Sequence, residues 1–298
     1  MNQITSSSAE KRRGTHAVDE RSIGNIITQA KQLSPEQVNA ILAHQGATGK
    51  RFGEAAVELG LASPQDVIWA LSQQYNYPYR NAAARSVSDE LVVANAPFSD
   101  HAERFRNLRS QLLIKLGADA GARHGHVIAL LSADRGDGKT FIAANLAITL
   151  AQLGGRVALV DADMRNARMQ ELFEISDRQT GLSEALNGRA EAGLCVPSPE
   201  FANLFVLPSG VIPPNPQELV ERPTFALLLN DLRNKFDFVI VDTPAADVGI
   251  DCVSIAAKCQ NVLMVVRAGA NSTKTVKQLA QYCSRARVEI LGTVLNDY

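Results

Sequence analysis

The apolar positions of this chain change period twice. Between residues 22 and 74 they fall in short groups with helical spacing, broken by Ser-Pro dipeptides at 34–35 and 63–64. Over residues 101–117, Phe105, Leu108, Leu112 and Leu116 recur at i, i+3, i+7 and i+11 and predict one amphipathic helix. From His126 onward continuous apolar runs take over, at 126–132, 156–161, 204–207, 237–242, 261–267 and 289–295. Short unbroken runs suit strands buried on both faces. Helical stretches separate them, at 139–153, 168–186, 217–234, 251–259 and 272–285. Such alternation predicts an α/β domain, a parallel sheet with helices on both faces, whose ligands bind at the C-terminal ends of the strands. The expected organisation is a disordered tail at 1–20, a small all-α domain at 21–80, a linker at 81–100 and the α/β domain at 101–298.

The all-α part is an internal repeat. Gly24 aligns with Gly53, and at the same spacing Ser34-Pro35 aligns with Ser63-Pro64, Val38 with Val67, Leu42 with Leu71 and Gln45 with Gln74. In each unit Ser is placed as a helix N-cap with Pro at the first helical position, where its missing N–H costs nothing. Gln37 completes a capping box three residues on, and Asp66 approximates one. Tyr75, Tyr77 and Tyr79 close the module and are expected to pack against its helices.

Composition narrows the function classes. The chain carries 30 basic and 31 acidic residues, a balance that gives no electrostatic footprint for nucleic acid. Cys195, Cys252, Cys259 and Cys283 have no C-x-x-C spacing and read as buried thiols of a reducing compartment. The polar N-terminus has no apolar core of a signal peptide, and no run approaches a membrane span, so a cytoplasmic location is expected.

Three strand ends carry candidate chemistry. Ser132-Ala-Asp-Arg-Gly-Asp-Gly-Lys-Thr140 lies between an apolar strand and a helix, the arrangement that cradles nucleotide phosphates, with Lys139 on the β/γ-phosphates and Thr140 on Mg²⁺. Ala133 stands where the usual pattern has its first Gly. The second strand end is Asp161-Ala-Asp163-Met-Arg165, whose two carboxylates are costly side by side unless a cation is near. A helix cap plus a surface acid is the bland alternative. The third is Phe238-Val-Ile-Val-Asp242, an apolar strand ending in an acid that holds Mg²⁺ directly or through water. Each alone is weak, and the three in order are strong.

With these residues in place, the chain from about 101 to 298 resembles the cytoplasmic domain of bacterial protein-tyrosine kinases, P-loop NTPases of the MinD/ParA-like branch. The resemblance rests on Asp161-Ala-Asp163-Met-Arg165, on Asp242-Thr-Pro-Ala245, on Glu103, Arg106 and Arg109 in the family's Glu-x-x-Arg-x-x-Arg helix, and on the loop Pro208–Pro216. It implies ATP and Mg²⁺, with phosphate contacts from Asp134, Arg135, Gly136, Asp137, Gly138, Lys139, Thr140 and Phe141. Arg267 and Asn296 are implied near the base or ribose. Lys139, Asp161, Asp163 and Asp242 are the implied catalytic set, with Asp161 orienting or deprotonating the acceptor hydroxyl and Thr140, Asp163 and Asp242 serving the metal. Glu103, Arg106 and Arg109 are implied in ring-like self-association. Where the family usually has a C-terminal tyrosine cluster, this sequence has Tyr298, a candidate phosphoacceptor or an incidental terminal residue, with Tyr282 the other tyrosine nearby.

Residues 22–74 resemble the N-terminal domain of type II secretion ATPases, some of which bind cyclic-di-GMP. Arg51-Phe52-Gly53, Gly60-Leu61, Leu71 and Gln74 follow that pattern, while Ser22 and Lys31 depart from it. A docking or purely structural module is the alternative. Together the two parts resemble chain-length-determinant kinases of exopolysaccharide operons, which implies recruitment to the inner membrane face by a membrane co-polymerase. Two other functions stay open: a MinD/ParA-like ATPase switch without kinase activity, and a cyclic-di-GMP sensor with a degenerate P-loop. Asp134, where many of the switch ATPases carry a second lysine, argues against the first. Intact Lys139, Thr140 and Asp242 argue against the second.

Overall fold

A computed structural model describes residues 22–74, 88–117, 125–176, 180–189 and 194–297. The tail at 1–20, the tyrosines at 75–79 and Tyr298 lie outside them. The chain divides into two compact units, 1–83 and 84–298.

The first unit is four helices: α1 (Ile23–Lys31), α2 (Pro35–Thr48), α3 (Phe52–Glu58) and α4 (Pro64–Gln74). The Ser-Pro signals work as read. Ser34 Oγ accepts from the Gln37 amide at 3.3 Å, and Gln37 Oε1 accepts from the Ser34 amide at 2.8 Å. Ser63 and Asp66 exchange the same two bonds at 2.7 and 3.2 Å. Lys31 meets Asp66 at 2.8 Å. A Cβ on Gly53 would lie 2.6 Å from Val67 Cγ1, so this glycine lets α3 lie close against α4. Helix packing thus accounts for the Gly of Arg51-Phe52-Gly53 without a ligand.

The second unit opens with α5 (Val92–Asn95) and α6 (Asp100–Leu116). There follow β1 (His126–Ser132), α7 (Lys139–Ala151), β2 (Val157–Asp161), α8 (Met169–Leu172), α9 (Leu182–Leu186), β3 (Val196–Pro197) and β4 (Leu204–Leu207). The remainder is α10 (Pro216–Glu221), α11 (Pro223–Lys235), β5 (Phe238–Asp242), α12 (Asp251–Cys259), β6 (Asn261–Arg267), α13 (Thr273–Arg285) and β7 (Glu289–Asn296). The strands form one sheet of order β3-β4-β2-β5-β1-β6-β7, parallel except for β3.

Period-2 geometry sorts the strand residues into two cores. Ile128 and Leu130 of β1 join Leu159 and Ile240 on one face, with the whole inner side of α7. Val127, Ala129 and Leu131 join Val160, Val241 and Ile255 on the other. Burial on both faces is why these strands read as unbroken apolar runs. Helix α7 is buried along nearly its whole length. It lies between the sheet and α6, whose Phe105 ring meets Phe141 edge-on at 5.5 Å.

Four expectations need correcting. Residues 88–100, expected as linker, belong to the second unit: Leu91 and Val93 are fully buried, and Asn145 of α7 accepts from the Val93 amide at 3.0 Å and donates to the Glu90 carbonyl at 2.8 Å. The helical stretch expected at 168–186 is two short helices, α8 and α9, with 177–179 outside the described residues. The stretch expected at 217–234 is likewise two helices. Pro223 forces Arg222 to ψ 150°, which ends α10 and starts α11. Strand β3 was not foreseen, since it is two residues long and contains Pro197.

Candidate nucleotide site at the strand ends

The loop after β1 turns through Gly136 and Gly138, both at positive φ (85° and 94°). Gly138 is required for a second reason. The Asn296 amide donates to the Asp137 carbonyl at 2.9 Å, and a Cβ on Gly138 would lie 2.3 Å from that nitrogen. Helix α7 begins at Lys139, so the loop delivers the helix N-terminus to a cavity of about 570 Å³. Lys139 is largely buried, and its Nζ donates to Ser132 Oγ at 2.8 Å.

Strands β2 and β5 pair in register, which sets Asp161 directly beside Asp242. Both are buried. The Asp161 carboxylate is occupied by the chain: Oδ2 accepts from the amides of Arg168 and Met169 at 3.1 Å each, and Oδ1 from that of Asp163 at 3.2 Å. Burial and then the charge of Asp242 push its pKa up to about 8. Asp242 is different. Its Oδ2 accepts from the Thr140 hydroxyl at 2.6 Å, while its Oδ1 is buried with no hydrogen-bond partner. Burial raises its pKa to about 6 against the downward pull of Thr140 and Lys139. Asp163 lines the cavity and is also raised, by burial first and by Asp251. A hydroxyl oxygen, an orphaned carboxylate oxygen and a second raised carboxylate are the hard donors a divalent cation takes. Thr140, Asp242 and Asp163 therefore fit Mg²⁺.

Of the residues singled out by sequence, Arg135, Gly136, Gly138, Lys139, Thr140, Phe141, Asp163, Arg267 and Asn296 all line this cavity. The side chains of Asp134 and Asp137 are engaged elsewhere. The Asn271 amide donates to Asp134 at 2.7 Å and to the two oxygens of Asp137 at 2.9 and 3.0 Å. Neither Asp161 nor Asp242 is on the wall: both are buried, Asp161 under three backbone amides and Asp242 against Thr140, which does line the cavity. On α6, Arg106 pairs with Glu103 at 2.6 Å and donates to the Pro97 carbonyl, while Arg109 donates to the Thr149 carbonyl at 2.9 Å. Sequence reasoning missed Asn271, Asp251 (the partner of Arg165), and Glu90 with Arg168. No local signal marks them, because each partner lies tens of residues away. The expected burial holds for Cys252, Cys259 and Cys283, whereas Cys195 is half-buried; burial pushes the Cys252 and Cys195 thiols up to about 12 and about 11.

A family model described as an AAA domain matches residues 125–293. The tyrosine-protein kinase CpsD of Streptococcus agalactiae is 31% identical over 183 residues, covering 61% of this chain and 80% of the relative. The putative tyrosine-protein kinase CapB of Staphylococcus aureus is 30% identical over 216 residues, covering 72% and 92%. The chain belongs to the bacterial tyrosine-kinase family. The solved kinase domain of Escherichia coli tyrosine kinase ETK superposes with a TM-score of 0.66 at 30% identity, covering 73% of this chain and 83% of that one. The septum site-determining protein MinD of Pyrococcus horikoshii, solved with Mg-ADP, is 24% identical with a TM-score of 0.53 and shares the fold. The family match includes all three strand ends: the loop after β1, the Asp161–Arg165 segment and Asp242 fall inside 125–293. No helix among the described residues is long and apolar enough to cross a membrane.

Proposed function

We propose that this chain is a Mg-ATP-dependent protein-tyrosine kinase that phosphorylates itself or a neighbouring copy and controls exopolysaccharide chain length or export. The observation that carries the reading is the Thr140–Asp242 bond, with the second Asp242 oxygen buried and unpartnered beside Lys139. Backbone amides of Gly136–Thr140 and the α7 N-terminus face the phosphates. Lys139, released from Ser132, neutralises charge on the β- and γ-phosphates. Thr140, Asp242 and Asp163 would hold Mg²⁺, which when bound neutralises phosphate charge. Asp161, wired to the amides of Asp163, Arg168 and Met169, fixes the segment that presents Asp163. Phosphoryl transfer asks mainly for positioning and charge neutralisation, which these groups supply.

Self-association through the α6 face of Glu103, Arg106 and Arg109, and activation at the inner membrane face by a membrane co-polymerase, belong to the same proposal. Tyr298 is the proposed acceptor. The deciding experiment incubates purified protein with Mg-ATP, with and without the cytoplasmic segment of the co-polymerase, and maps phosphotyrosine. Phosphate on Tyr298, lost in Tyr298→Phe, is expected. ATP hydrolysis without any phosphotyrosine would leave an ATPase switch and overturn the kinase reading. Arg106→Ala with Arg109→Ala is expected to lower the sedimentation coefficient, and an unchanged coefficient removes the α6 interface.

A further inference from the structure

One charged pair on the wall of the nucleotide cavity has no part in the scheme above. Glu90 and Arg168 both line the cavity that Lys139, Thr140 and Asp163 share. The Arg168 guanidinium forks onto the Glu90 carboxylate, Nη2 to Oε1 at 2.5 Å and Nη1 to Oε2 at 3.3 Å. Both ends are fixed by backbone. The Arg168 amide donates to Asp161 Oδ2, and the Glu90 carbonyl is held by Asn145 of α7. Beyond Glu90, Leu91 and Val93 are fully buried. The Arg168 charge is stabilised first by Glu90 and also feels Asp242. This guanidinium therefore stands within electrostatic reach of the metal carboxylate.

A planar guanidinium at the edge of a phosphate cavity is suited to bind phosphate oxygens two at a time. A carboxylate presents the same paired-oxygen geometry. We propose that Arg168 binds the terminal phosphate of the nucleoside triphosphate, and that Glu90 is an internal competitor occupying Arg168 until the triphosphate displaces it. The inference rests on the Mg-nucleotide reading of the cavity. Its physical content is a competition: the apparent Kd is the intrinsic Kd divided by the fraction of molecules with Arg168 free. Each side chain is about a third exposed, at 37% and 36%, so the pair contributes little to stability and can be altered without unfolding the chain.

The test is calorimetric titration of the full chain with ADP and with a non-hydrolysable ATP analogue, both with Mg²⁺. If Arg168 is free about a tenth of the time, Glu90→Gln tightens the analogue about tenfold and leaves ADP within about twofold. Arg168→Ala weakens the analogue by about 10- to 100-fold, the range for hydrogen bonds to charged groups, and abolishes its advantage over ADP. The double variant follows Arg168→Ala alone, because a competitor has nothing left to mask. Arg168→Lys restores charge without the fork and recovers only part of the loss. Equal or weaker analogue binding by Glu90→Gln overturns the inference, as does a double variant whose two effects simply add. Wild-type protein that binds neither nucleotide overturns the reading of the cavity itself, and this inference with it.

Discussion

Two groups of buried or half-buried carboxylates in the second unit are shifted in opposite directions. At the corner where α9 meets the segment after β4, Glu184 accepts from the Gly181 amide at 2.9 Å, the Val211 amide at 3.0 Å and the Ser183 hydroxyl at 3.0 Å. Burial pushes its pKa up, but these donors outweigh burial and hold it below the usual value. At the ends of β2 and β5 the balance goes the other way, and Asp161, Asp163 and Asp242 are all raised from the ordinary aspartate value. Glu184, whose donors outweigh its burial, is a structural clamp. Asp242, left with an orphaned oxygen beside another acid, is suited to a positive charge. The corner should therefore fail in stability when altered, and the strand ends in chemistry.

The largest effect is expected at the strand ends. Lys139→Met and Asp242→Asn should each lower Mg-dependent phosphotransfer by about 100-fold or more, the scale of losing one preorganised electrostatic group. Asp242→Asn should at the same time leave the Tm measured in a chelator unchanged or raised, since it removes a buried charge. A large fall in that Tm would mean that Asp242 is a clamp as well, and the contrast with the corner would collapse. At the corner, Gly210→Ala is the next largest. Gly210 sits at φ 77°, and a Cβ there would lie 2.0 Å from Glu184 Oε2. The expected loss is about 1–3 kcal/mol, read as a lower denaturation midpoint. ADP affinity of the folded variant should stay at the wild-type value.

Glu184→Gln is expected to cost about 1–2 kcal/mol at neutral pH, because charge-assisted bonds become neutral ones. Here the sign of the pH dependence is diagnostic. A carboxyl whose pKa is lowered by folding adds stability above its unfolded value, near 4.5, and loses it as pH falls through the folded value. The gap in urea midpoint between wild type and Glu184→Gln should therefore close as the solution is taken below pH 4.5. A gap independent of pH would show that packing, not charge, clamps the corner. The smallest effect on the second unit comes from a change in the first. Gly53→Ala, which crowds Val67, should destabilise the four-helix repeat by about 1–3 kcal/mol and leave phosphotransfer unchanged.

The central strands and most helices were legible because burial on two faces writes itself as unbroken apolar runs, and because Ser-Pro and Gly-Lys-Thr fix helix starts locally. What was not legible depends on partners distant in sequence. Leu91 and Val93 look like a few apolar residues in a linker until Asn145, 52 residues from Val93, is seen to clamp them to α7. Pro223 was absorbed into one long helical stretch, although its restriction on Arg222 splits that stretch in two. At the site, the loop and the acids were visible as motifs, whereas Asn271 reaches Asp134 across 137 positions. Asp161 shows what a motif leaves out. Motif resemblance implies a chemical role for it, and only the structure adds that the amides of Asp163, Arg168 and Met169 hold its oxygens in place.

The contact between Asn296 and the loop has a consequence for the order in which the site is made. Asn296 ends β7, an edge strand held by β6, and it lies 159 positions after the carbonyl it supports. The side chain that fills the space above Gly138 is thus made long after the loop it supports. While β7 is still unmade, the loop has its glycines and its lysine but lacks the wall that shapes it. The cavity, begun early in the sequence, is finished only when synthesis has passed residue 296, so partly made chains lack its completed wall.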